Sequence, residues 1–81
     1  MSARRHFVKE LTLAAAHIAQ ANRIITVQRR RIARIKYEGG ETGHAEDFLD
    51  AMLEVRAHHQ DIHNQLLHAL LTAAARPAMA Y

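Results

Sequence analysis

The sequence predicts an all-α fold: an antiparallel two-helix hairpin, coiled-coil-like, that dimerises into a four-helix bundle. Three observations carry that expectation. Apolar residues recur at helical spacing over two long stretches, a single glycine pair separates those stretches, and the apolar stripe is too wide for one partner helix to cover.

The first stretch spans about residues 4–38. Leu11, Ile18, Ile25 and Ile32 recur every seven residues, and Ala14, Ala21, Gln28 and Ile35 fill the alternate positions. This 3-4 spacing lays one seam along a helix, with Gln28 as its polar member.

The break follows at "YEGGETGHAED". Gly39 and Gly40 are suited to end a helix, because glycine enters the left-handed conformation without a Cβ clash. Thr42 is placed to cap the next helix through its hydroxyl, with Glu46 and Asp47 near the positive end of the helix dipole.

The second stretch spans about residues 43–76, and Pro77 stops it. Together the two make one domain, residues 1–76, with 77–81 expected to fray. Two seams overlap on the second stretch. One is Ala45, Leu49, Met52, Arg56, His59, His63, Leu66 and Leu70; the other is Phe48, Met52, Val55, His59, Ile62, Leu66 and Ala69. A short glycine turn between long helices makes them antiparallel neighbours.

Charge is unevenly divided. Residues 1–40 hold nine Lys/Arg and two Asp/Glu, whereas residues 41–81 hold two and six. In the hairpin alignment Arg29, Arg30, Arg34 and Lys36 come alongside Glu46, Asp47, Asp50 and Glu54, so the sequence predicts that they pair near the turn.

Apolar residues beyond the seam require a further partner. Val8, Leu13, Ile24 and Val27 widen the first stripe; Leu53, Leu67 and Leu71 widen the second. A lone hairpin leaves such a patch open, and two hairpins packed together cover it. Leu11, Ile18, Ile25, Ile32, Met52, Leu66 and Leu70 are the residues expected to carry the homodimer.

Composition narrows the chemistry. The chain has 81 residues and no cysteine, so neither disulfides nor thiolate chemistry is available. It suits a reducing cytoplasm. No apolar run approaches the ~18–20 residues of a membrane span. The N-terminal apolar run, residues 11–16, is too short for a leader peptide, which predicts a soluble chain without one. There is no glycine-rich phosphate loop, and Ser2 is the lone serine. Within the second stretch the Glu-x-x-His signature of di-metal bundles is absent, since Ala57 follows Glu54 and Asn64 follows Asp61 at that spacing. The expectation is a protein that is not an enzyme and holds no cofactor.

Histidine is the exception to this plainness, with four in "RAHHQDIHNQLLHAL". His59 and His63 stand four apart on one helical face, a spacing that clamps zinc when two more ligands complete a tetrahedron. His17, or the same pair from a second copy, would have to supply them. The reading preferred from the sequence is structural. His59 takes a half-buried seam position, hydrogen-bonded to a backbone or polar partner, with Gln28 one or two turns away. Together these two polar residues fix register and oligomer state. A third reading has histidines in the dimer seam gain charge in mild acid and loosen the packing.

The run "QRRRIARIK" raises nucleic acid as an alternative function, through Arg29, Arg30, Arg34 and Lys36. No helix-turn-helix is legible, and aromatic residues for base stacking are few.

Residues 17–67 resemble a group of small bacterial helical-hairpin proteins with the layout H-I-A-x-A-x-R-x-I-x-x-Q-R, then G-x-[DE]-T-x-x-A-[ED], then leucines and a histidine. The matching positions are His17, Ile18, Gln28, Ile32, Gly39, Thr42, Ala45, Leu49 and His59. The resemblance implies a helical hairpin and brings no activity with it. The expected function is protein–protein interaction, as a scaffold or regulatory adaptor acting through self-association with an unidentified partner. Nucleic-acid binding and histidine-based metal binding stand as alternatives.

Overall fold

The computed structural model describes residues 3–75, which form two α-helices. The first, α1, runs Ala3–Tyr37 and the second, α2, runs Gly43–Ala75. They pack along their length as an antiparallel hairpin. The expected helix end at Arg76 and the tail 77–81 lie outside the described residues.

The turn explains why the chain reverses where it does. The Gly39 amide donates to the Lys36 carbonyl and the Gly40 amide to the Ile35 carbonyl, at 3.0 and 2.9 Å. This is the Schellman arrangement, which satisfies carbonyls left open at a helix end. It needs a left-handed residue, and Gly39 supplies it with φ +78°. Gly40 is required for space: a Cβ there would stand 2.9 Å from the Ile35 Cγ2 methyl.

Capping of α2 differs from the expectation. The Thr42 hydroxyl donates to the Glu46 carboxylate at 2.9 Å, while the Thr42 carbonyl accepts the Glu46 amide at 2.8 Å. Glu46 also receives Lys36 Nζ at 3.6 Å. Thr42 therefore orients a carboxylate that bridges to α1 across the turn. Both the acid and the lysine are well exposed, and such a pair contributes only ~0–1 kcal/mol.

The heptad reading of α1 matches the observed burial. Ala14, Ala21, Ile25, Gln28 and Ile32 are buried. Leu11, Ile18 and Ile35 are half-buried on the same side. On α2 the hairpin uses the first of the two overlapping seams. Ala45, Leu49, Met52, Arg56, His59, His63, Leu66 and Leu70 are all half-buried, and no described residue of α2 is fully buried. The asymmetry follows from size. Alanines on α1 let the helices approach, and the longer α2 side chains lie over them with their flanks open.

Register is marked by three contacts. Gln28 Nε2 donates to the Ala45 carbonyl at 3.0 Å, and Arg56 Nη1 donates to Asn22 Oδ1 at 2.9 Å. Farther from the turn, the rings of His17 and His59 stand 4.7 Å apart between centroids.

Candidate interaction surfaces

The concavities among the described residues are open ones, so the functional candidates are faces. The seam comes first, because it determines what remains outside. Ile25 and Ile32, expected to carry association between copies, are buried against α2 of the same chain, with Ile25 only 1% exposed. Leu11, Ile18, Met52, Leu66 and Leu70 are half-buried. These seven residues all lie on the intrachain seam, and further apolar side chains stay exposed beside it.

One apolar surface left partly open is the second α2 seam. Phe48 and Val55 remain 47% and 41% exposed, and Ile62 completes the seven-residue spacing. On α1 the matching row is Leu13, Ile24 and Ile35, spaced eleven apart, with Leu13 half exposed. The rows share one face: Ile35 and Phe48 line a single open concavity of about 420 Å³, with Gln28, Arg31, Glu41, His44 and Ala45. The opposite face is polar through its middle, crossed by the Arg56–Asn22 hydrogen bond and the Lys36–Glu46 ion pair.

The histidines lie differently from the expectation. His59 is half-buried in the seam. Its partner is the His17 ring at 4.7 Å, with His58 5.7 Å away, and not a hydrogen-bonding group among the described residues. Gln28 is not a near neighbour. It stands eleven residues from His17 along α1, about three turns. The two polar seam residues therefore act independently, Gln28 on the Ala45 carbonyl and His59 on His17. For zinc, His59 and His63 share their face as the spacing predicts. Among the described residues, however, no set of three or more His, Asp or Glu is grouped to hold a metal ion.

The charged residues give the clearest correction. Of the four bases expected to pair with acids near the turn, Lys36 does so. Arg29, Arg30 and Arg34 make no ion pair or hydrogen bond with any described residue. The reason is angular. Arg30 and Arg34 are two and nine residues beyond seam positions Gln28 and Ile25, which turns them to the side of α1 facing away from α2. Arg29 lies nearer the seam but is exposed. Sequence separation in a hairpin brings residues to the same level, not to the same side.

Among the described residues no helix is long and apolar enough to cross a membrane. No family model, curated protein or solved structure matches the chain.

Proposed function

We propose that the protein is a non-enzymatic interaction module whose first partner is a second copy of itself. Two hairpins packed through the face bearing Leu13, Ile24, Phe48, Val55 and Ile62 make a four-helix bundle, which then serves as a scaffold or regulatory adaptor. A cysteine-free hairpin that uses no disulfide suits the cytoplasm.

The observation that carries this reading is the exposed apolar row on a molecule with very little core. The chain's accessible surface is 6489 Å². A compact monomer of 9.2 kDa has ~4,900 Å², so this one exposes roughly 1,500 Å² more. Obligate homodimers bury ~1,000–2,500 Å² per chain, which covers that excess. The radius of gyration points the same way, at 18.8 Å against ~12 Å for a compact chain of this length.

Light scattering tests the reading directly. The wild-type mass should be twice 9.2 kDa. Val55→Glu, alone and with Phe48→Glu, should give a helical monomer, because both side chains lie outside the intrachain seam. A wild-type monomer at high concentration, or a dimer indifferent to both substitutions, would sink the proposal. Repeating the measurement with excess zinc separates packing from metal-driven association.

A further inference from the structure

We propose that the outer face of α1, opposite the seam, binds single-stranded nucleic acid. Arg23, Arg30, Arg31 and Arg34 would take the phosphates, and Tyr37 would stack against a base.

The face is built as one stripe. Arg23, Val27, Arg30, Arg34 and Tyr37 succeed each other at intervals of four, three, four and three residues, which keeps them on one side of a helix. At a rise of ~1.5 Å per residue the stripe is ~21 Å long. All five are exposed, Val27 at 59% and Tyr37 at 93%. Arg31 lies beside the stripe and joins Val27, Arg30 and Arg34 around an open concavity of about 350 Å³. Arg23 and Arg30 border a second of about 360 Å³ with Asn22, Thr26 and Val27.

Two features set this face apart from an ordinary solvated one. Residues 11–37 contain no aspartate or glutamate, so nothing on the helix neutralises the arginines locally. Arg23, Arg30, Arg31 and Arg34 also make no ion pair or hydrogen bond with any described residue, although Asp47, Asp50, Glu54 and Asp61 lie on the companion helix. Their guanidinium forks are free to grip phosphate oxygens in pairs.

The aromatic end of the stripe selects the kind of polyanion. A tyrosine ring almost wholly in water, one turn from Arg34, offers a flat surface to an unpaired base. An acidic polypeptide has no use for it, and duplex DNA keeps its bases stacked inside. A lipid surface would call for several apolar side chains, and Val27 is alone on the stripe. Arg23, Arg30, Arg34 and Tyr37 lie away from the apolar row proposed for self-association, so a bundle would carry them on its outside. Arg31 stands at the border and also lines the concavity with Ile35 and Phe48.

Fluorescence anisotropy with a labelled oligothymidylate, titrated across potassium chloride concentrations, reads the interaction. Four phosphates neutralised per hairpin predict a slope of about −3 for log affinity against log salt, or about fiftyfold loss from 50 to 200 mM. Arg30→Gln with Arg34→Gln should halve that slope. Tyr37→Ala should cost roughly tenfold in affinity and leave the slope unchanged. Circular dichroism should show all variants as helical as the wild type, because the substituted residues are exposed. Absence of binding at low salt overturns the proposal, as does binding indifferent to the arginine pair. Stronger binding to duplex with no effect of Tyr37→Ala also overturns it. Displacement by polyglutamate as effective as by unlabelled oligonucleotide would instead make the face an acidic-protein site.

Discussion

At the scale of single residues, the turn and one isoleucine carry the most consequence. Gly39 holds φ +78°, where a side chain costs ~1–2 kcal/mol. Gly39→Ala should therefore lower stability by about that amount in urea unfolding, and Gly39→Asn by less, since asparagine tolerates the left-handed region better. Gly40→Ala acts through a different cause, contact with the branched Ile35 side chain, so asparagine offers no relief there. Ile25 is the most thoroughly buried large side chain. Truncating it removes dispersion contacts and leaves a void that two rigid helices cannot close. Ile25→Ala should cost ~2–5 kcal/mol, measured as a shift in the denaturant midpoint, and Ile25→Asp should unfold the hairpin.

At the scale of the elements, the two helices contribute unequally. Among the described residues all five buried ones belong to α1, and α2 lies across them with every seam residue partly open. The histidine pair belongs to this level, because one ring comes from each helix. Two imidazoles in contact occupy a layer where aliphatic side chains would pack without any polar cost. His17→Leu with His59→Leu should raise the thermal midpoint seen by circular dichroism; a fall would show that the ring contact stabilises the hairpin. The helices, the turn and the α1 seam were legible in the sequence because each is local. Seven-residue spacing, a glycine pair and a following threonine act within one or two turns of themselves. The α2 seam was less legible, since Met52, His59 and Leu66 serve both candidate seams and only packing against α1 chooses between them. The partners of the arginines depend on helix rotation, which levels along the chain do not specify. Gln28 and His59 instead differ in level itself, with His59 opposite His17 and Gln28 about three turns away. Arg30 and Asp50 can be near in level and still point in opposite directions.

At the scale of the whole molecule, the hairpin is a rod with a narrow seam, an apolar flank and a basic outer edge. It is far more extended than a globule of its length, and little of its surface is covered by its own core. The same rod has a simple contact map, and its kinetics follow from that. Gln28 and Ala45 are 17 residues apart, and Asn22 and Arg56 are 34 apart. Closing the larger loop first costs roughly 0.6 kcal/mol more than closing the smaller. Pairing that starts at the turn avoids that cost, because each layer shortens the effective loop for the next. Refolding should therefore begin at Gly39 and Gly40 and proceed toward the open end. In stopped-flow measurements Gly39→Ala should slow refolding, whereas truncating Leu11 or Leu66 should chiefly speed unfolding. The left-handed glycine that reverses the chain would then also set the folding rate, and a sequence change in the turn would alter how long each new chain leaves its seam exposed.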